Sequence, residues 1–116
     1  MVGQIMRAMQ NDQIVETNVM DLMQMKSRVI DVADVLKTLS HPDRLFVLCQ
    51  LVDGEQGAGQ LQSNSNLSQS AFSQHLTVLK KAGLVDIRKE SQHVYYSLKD
   101  ERVVSLISQL HNLYCH

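Results

Sequence analysis

Apolar residues recur along this chain with two different periods. From Leu22 to Leu39 they step by three and four residues, the spacing of one side of an α-helix, which predicts a first helix of about 20 residues. Residues 84–98, LVDIRKESQHVYYSL, instead contain two β-prone runs around a charged and polar tip, which predicts a hairpin. The pattern therefore predicts a mainly helical chain with one small sheet.

The segment SHPDR follows the first predicted helix and contains signals for the start of a second one. Ser40 or His41 can cap a helix, and Pro42 suits a first turn because its missing N–H would have no partner there. A second helix over RLFVLCQLV is expected next, followed by a turn at DGEQGAG and a short helix through GQLQSN. A last helix should begin at Lys99 or Asp100 and present an apolar stripe.

Residues 69–82 form the most informative predicted helix, with Ser68 as its N-cap and Gly83 as its stop. At 100° per residue one side is apolar, and the other carries glutamine, serine, threonine and lysine. A face that only needs to be soluble usually carries Glu and Lys, which are better helix formers than Ser or Thr. Glutamine and serine both donate and accept hydrogen bonds, which suits contact with the edges of DNA bases.

The order of these elements is that of a winged helix–turn–helix. The predicted fold class is mainly α with a small β-hairpin wing. Residues 1–17 show no clear periodicity and are expected to be a mobile tail, and residues 18–116 are expected to form a single domain.

Composition narrows the function. The net charge of −1 gives the protein no overall positive field. The sequence contains no run of about 18 apolar residues, so it predicts no membrane-spanning helix. The N-terminus lacks the apolar core of a signal peptide, and the two cysteines suit a reducing compartment, so a cytoplasmic protein is expected. No nucleophile, histidine and acid stand at a recognisable catalytic spacing, so the chain is not expected to be an enzyme.

Three ordered blocks, VLKTLSHPDRLFVLCQLV, LSQSAFSQHLTVLKKAGLV and HVYYSL, resemble the ArsR/SmtB family of bacterial dimeric repressors. The resemblance runs from about residue 30 to the C-terminus. It implies an inverted-repeat operator in double-stranded DNA as the partner, base contacts from the polar helix face, and a wing over roughly residues 85–97. The residues expected to contact DNA are Gln69, Ser70, Ser73, Gln74, Thr77, Lys80, Arg88, Lys89 and His93.

The resemblance also implies a homodimer that is formed by the first and last helices. Their apolar stripes fit this expectation, because one chain alone does not use all the apolar surface of the first helix. The expected interface residues are Leu22, Met25, Val29, Val32, Leu106, Leu110 and Leu113.

Neither metal site of the family is complete in this sequence. The segment GQLQSNSN lacks the cysteine cluster of the arsenic-type members. At the zinc-type positions of the last helix, Asp100 and His116 are suitable, but Arg102 and Leu113 cannot ligate zinc. No metal or cofactor is therefore expected, although a non-standard metal site stays open as an alternative.

Two cysteines, Cys49 and Cys115, suggest a different input. Alone they could be small hydrophobic residues, and Cys49 within FVLCQLV is expected to be buried. The sequence is similar to the SqrR/BigR/HlyU branch of the family at both positions. That similarity implies a dithiol switch, in which oxidants or reactive sulfur species bridge the cysteines and weaken DNA binding. The alternative from another functional class is a small thiol redox protein that does not bind DNA. Such a protein typically contains a CxxC motif, which this sequence lacks.

Overall fold

The computed structural model describes the backbone of residues 12–114 and the side chains of residues 19–114. Helices precede, separate and follow the strands, which confirms the predicted mainly helical fold with a small antiparallel sheet. No helix in the described part of the chain is long and apolar enough to cross a membrane. In chain order the elements are α1 (Asp12–Leu39), α2 (Pro42–Gln50), β1 (Gln56–Gly57), α3 (Ala58–Ser63), α4 (Gln69–Lys81), β2 (Val85–Glu90), β3 (His93–Leu98) and α5 (Glu101–Tyr114).

The chain divides into two units, residues 1–35 and residues 36–116. In the first unit, α1 begins at Asp12, earlier than the predicted start at Leu22. Residues 12–17, predicted as tail, are therefore helical, and the rest of that predicted tail lies outside the described residues. The segment from 12 to 21 contains no proline or glycine, and a helix extends easily once formed because each added residue contributes a hydrogen bond.

The second unit is built around α2, which begins as the sequence predicts. His41 is the N-cap, and its Nδ1 accepts a hydrogen bond from the backbone N of Asp43 at 3.2 Å. Pro42 occupies the first turn, so its missing N–H leaves no helical hydrogen bond unmade. The helix ends at Gln50, two residues before the end of the predicted run.

The core of this second unit is aliphatic and draws on every helix from α2 onward. α2 packs against α4 and α5, whereas α3 and α5 each contact β3. Side chains from these helices interdigitate in the centre, where apolar burial supplies most of the stability. The side chains that are at most 2% exposed are Leu48, Leu51, Leu61, Leu79, Leu84 and Ile107.

The sheet has three strands in the order β1–β3–β2, so it is larger than the predicted hairpin. β1 is only two residues long, and it pairs Gln56 with Tyr96 and Gly57 with Tyr95. So short a polar segment has no alternating pattern, and it becomes a strand only because β3 offers it a free edge. The expected hairpin is confirmed, with β2 and β3 in antiparallel register from Val85↔Leu98 to Glu90↔His93.

Turns and caps fix the ends of the last three elements. Gly83, with φ of +75°, closes α4 as predicted, in a backbone region that glycine enters without the steric cost of a side chain. At the start of α5, the Asp100 carboxylate accepts a hydrogen bond from the backbone N of Val103 at 3.0 Å. This bond lowers the pKa of Asp100, because it favours the charged carboxylate.

Candidate nucleic-acid interface

α4 presents one buried side and one exposed side. Ser68 caps it by accepting a hydrogen bond from the backbone N of Ala71 at 3.2 Å. Phe72, Leu76 and Leu79 are 3%, 6% and 0% exposed, so they fix the rotation of the helix about its axis. The opposite side consists of polar residues that are all exposed, namely Gln69, Ser70, Ser73, Gln74, Thr77, Lys80 and Lys81.

The N-terminal half of this face is available for binding. Within the described residues, the side chains of Gln69, Ser70, Ser73 and Gln74 make no hydrogen bond to the protein, whereas the Thr77 hydroxyl donates to the Ser73 carbonyl at 2.9 Å. Two amides and two hydroxyls with free donors and acceptors therefore point outward from one end of α4. Such groups match base edges in the major groove, which also present both donors and acceptors.

Arg88 on β2 has a structural role that sequence reasoning missed. Its guanidinium donates to both carboxylate oxygens of Glu55, at 2.7 and 3.0 Å, and to a carboxylate oxygen of Glu90. It also lies over the ring of Tyr95, 4.5 Å from the centroid. The hydrogen bonds that Arg88 donates to Glu55 and to Glu90 raise the pKa of Arg88, and the hydrogen bond from Arg88 lowers the pKa of Glu55.

These contacts attach the wing to the segment before β1. They also neutralise the charge that the sequence prediction places near the DNA backbone. The partner Glu55 lies 33 residues away in sequence, so no local pattern could have revealed the pair.

The other predicted wing residues lie near the hairpin turn. Lys89 and His93 are both exposed, and within the described residues Lys89 forms no ion pair. The His93 ring lies 6.3 Å from that of Tyr95, centroid to centroid. The structure thus places the polar face of α4 and the wing in the same unit, with α4 in contact with β2.

Cys49 lies on α2, an element that carries none of the residues expected to contact DNA. It is half-buried rather than buried as expected from the sequence, and it lines an open cavity of about 510 Å³. The cavity walls are mainly apolar and come from α2, the segment after it and α5. The second cysteine of the predicted switch, Cys115, lies outside the described residues. The cavity is lined by Pro42, Leu45, Phe46, Cys49, Gln50, Asp53 and His111.

The residues expected at a dimer interface differ in exposure. On α1, Leu22, Met25, Val29 and Val32 are between 51% and 55% exposed. On α5, Leu113 is 65% exposed, whereas Leu106 and Leu110 are half-buried. The expected stripe is thus exposed along α1, whereas on α5 only Leu113 of the three expected residues is exposed.

A capped helix with a polar face, a preceding short helix and a hairpin wing define a winged helix–turn–helix protein, a class of DNA-binding regulators. A family model described as bacterial regulatory protein, arsR family, matches residues 41–86. The chain is 44% identical over 96 residues to the transcriptional activator HlyU of Vibrio cholerae, covering 83% of this chain and 89% of that protein. It is 40% identical to a biofilm growth-associated repressor of Agrobacterium fabrum, covering 78% of each.

Solved structures agree with this assignment. Reduced HlyU from Vibrio cholerae superposes with a TM-score of 0.76 at 43% identity, covering 80% of this chain and 98% of that one. A homodimeric winged helix–turn–helix domain from Mycobacterium bovis superposes with a TM-score of 0.66 at 28% identity, covering 76% and 82%. The chain belongs to the ArsR family. It is a DNA-binding transcriptional regulator and not an enzyme, as the sequence predicted.

The contacts of Arg88 lead to a test on the wing. Glu55→Gln removes one of the two carboxylates that hold the Arg88 guanidinium, so the wing becomes more positively charged. We expect tighter DNA binding and a steeper loss of affinity with salt, because a less neutralised guanidinium attracts phosphates more strongly. Fluorescence anisotropy at several salt concentrations measures both. Glu101→Gln, which removes the same charge from the exposed first turn of α5, should change neither; equal effects of the two would mean that only net charge matters.

Proposed function

We propose that this chain is a cytoplasmic, dimeric regulator that binds an inverted-repeat operator and releases it when Cys49 and Cys115 are bridged. The unpartnered polar face of α4 supports the DNA-contact part of this proposal most directly. One named relative is an activator and another is a repressor. A bound dimer serves either outcome, since it can block a promoter or displace a silencing protein from one.

In the proposed complex, the N-terminal half of α4 enters the major groove. There Gln69, Ser70, Ser73 and Gln74 contact base edges, because their donors and acceptors have no partner within the described chain. Lysines and the wing contact phosphates, which position the protein without reading the sequence. The residues assigned to this second role are Thr77, Lys80, Arg88, Lys89 and His93.

Base contacts and phosphate contacts can be told apart by mutation. Gln69→Ala and Ser73→Ala should each weaken operator binding by about 1–3 kcal/mol and relax sequence preference, since each removes a base contact. Lys89→Ala should weaken operator and unrelated DNA alike and reduce the salt slope. Titrations of both DNAs supply the comparison. If all three variants bind as the wild type does, α4 and the wing are not the reading elements.

The exposed apolar residues of α1 support the homodimer. An apolar stripe along a helix is normally covered, and a second copy of the chain can cover it in a closed, two-fold arrangement. The exposed Leu113 on α5 fits the same arrangement, as does the homodimeric relative from Mycobacterium bovis. Two recognition helices would then reach half-sites about 34–36 Å apart on one side of the duplex.

Charge placed in the α1 stripe should dissociate this dimer. Met25→Glu and Val29→Glu each put a carboxylate where the proposed partner packs, so we expect monomers at micromolar concentration and a large loss of operator affinity. Ser27→Glu is the matched control, because Ser27 is exposed on the opposite side of the same helix. Sedimentation equilibrium reports the mass. A wild-type chain that is monomeric at micromolar concentration would overturn the dimer proposal.

Three observations support the dithiol switch. Cys49 is half-buried and lines an open cavity, which supports access of a reagent from solvent. His111 of α5 lines the same cavity, which confirms that the second and last helices pack together. Cys115 follows His111 by only four positions in sequence.

The chemistry requires two thiols and an oxidant of stated class. With a peroxide, one thiolate becomes a sulfenic acid as the peroxide is reduced, and attack by the other thiol forms a disulfide and releases water. With a polysulfide, one thiolate takes up a sulfur atom, and attack by the other forms the bridge and releases hydrosulfide. The bridge then acts by favouring a dimer shape whose recognition helices no longer match the half-sites.

Each cysteine is therefore necessary for the response but not for DNA binding. Bridging should weaken operator affinity by roughly 5- to 150-fold, the range of coupling free energies of about 1–3 kcal/mol. Cys49→Ser and Cys115→Ser should bind DNA when reduced and keep that affinity after polysulfide treatment. Mass spectrometry of treated protein beside a binding titration tests this. Release by the Cys115→Ser chain, or release by the wild type with no intramolecular link, would exclude the dithiol mechanism and leave the DNA-binding proposal intact.

A further inference from the structure

Two imidazoles and one carboxylate meet where the start of α2 approaches the middle of α4. The rings of His41 and His75 lie 4.2 Å apart, centroid to centroid, and are tilted by 50°. The Asp43 carboxylate lies 3.7 Å from Nδ1 of His41. One donor atom from each of these three residues lies within 4.8 Å of the other two, and all three are half-buried.

This is the donor set of a transition-metal ion. Zinc takes imidazole nitrogen and carboxylate oxygen at about 2.0–2.2 Å, so two ligands of a tetrahedral ion lie roughly 3.4 Å apart. The separation between Nδ1 of His41 and the Asp43 carboxylate, at 3.7 Å, is already close to this value. An ion bound at this Nδ1 would replace the cap hydrogen bond that the atom accepts from the backbone N of Asp43. The remaining separations, of at most 4.8 Å, need side-chain movements of only about an ångström to match the same geometry.

We propose that His41, Asp43 and His75 form a site for a divalent transition-metal ion, with zinc as the best match. Imidazole ligands favour zinc, nickel, cobalt and copper over magnesium and calcium, which prefer oxygen alone. Three protein ligands leave one tetrahedral position for water, as in open zinc sites. The site is separate from both cysteines and from the last-helix positions, so it does not depend on the proposed thiol switch.

Arg44 lowers the expected affinity of this site for a metal ion. Its NH1 lies 3.3 Å from Nδ1 of His75, and its Nε donates to the carbonyl oxygen of Thr38 at 2.8 Å. This cation and the positive end of the α2 dipole both oppose a metal ion, so micromolar rather than nanomolar affinity is expected. An ion bound through either nitrogen of His75 would displace this contact, because Arg44 can only donate and a neutral imidazole has a single free lone pair.

A bound ion would link the helix that supports the core to the helix that carries the reading face. Because the ligands come from α2 and α4, the ion binds the folded chain and not the unfolded one. By mass action it therefore raises the free energy of unfolding, and the thermal midpoint should rise with zinc concentration. His75 is on the half-buried side of α4, so the ion leaves the exposed polar face accessible.

The experiment uses the full chain with Cys49→Ser and Cys115→Ser, so that no thiol can take the metal. Competition with a chromophoric zinc chelator should give one zinc per chain, and cobalt in its place should give d–d absorption that reports nitrogen and oxygen ligands. His41→Asn keeps a helix cap, Asp43→Asn keeps the side-chain size, and His75→Gln keeps an acceptor for Arg44. Each should weaken zinc binding by about tenfold or more, because each removes one of three ligands.

His111→Gln is the matched control, since His111 is also a half-buried helical histidine but lies outside the cluster. It should bind zinc as the parent chain does. If His75→Gln fails to fold, the two variants at the start of α2 decide the matter. The proposal would be overturned if the parent chain bound no zinc at tenfold excess, or if zinc binding survived both His41→Asn and Asp43→Asn. The cluster would then be only a hydrogen-bonded junction between α2 and α4.

Discussion

The burial of three side chains on one side of α4 is the constraint on which the rest of the structure depends. Phe72, Leu76 and Leu79 occupy the core beneath the helix, and their positions leave only one possible rotation about its axis. Gln69 and Ser73, which lie on the other side, must then face outward. The polar face of α4 in this ArsR-family regulator is thus oriented by apolar packing, and its polar groups do not have to hold it in place.

The distribution of charge follows from the same division between fixed and free side chains. The chain carries a net charge of −1, so attraction to DNA has to come from local cations rather than from a global field. Arg88 is held by Glu55 and Glu90, and this cation mainly keeps the wing in place. Lys89, on the same strand, is exposed and not held in this way. The geometry of the wing therefore depends on Arg88, and the proposed attraction to phosphates depends more on Lys89 than on Arg88.

α2 carries residues of both proposed sites, the thiol switch and the metal site, and it packs against α4. Its N-terminal end meets α4 through His41, and its C-terminal end faces α5 through Cys49 and the cavity that this residue lines. Because α2 packs on α4, the two proposed sites are both connected to α4 through contacts that are already in place. A short helix with both ends tied to other elements is well suited to such coupling.

The sequence by itself determined the elements whose signals are local. Ser68 and Gly83 mark α4 to within one residue, because a cap and a left-handed stop act on the adjacent backbone. The start of α1 and the strand β1 were missed, since neither helix extension nor a two-residue edge strand leaves a periodic signal. Only the tertiary structure decided the pairs Arg88–Glu55 and His41–His75, because chain folding brings together side chains more than 30 residues apart in sequence. Periodicity reports which side of an element is buried, but what that side touches depends on the packing of the whole unit.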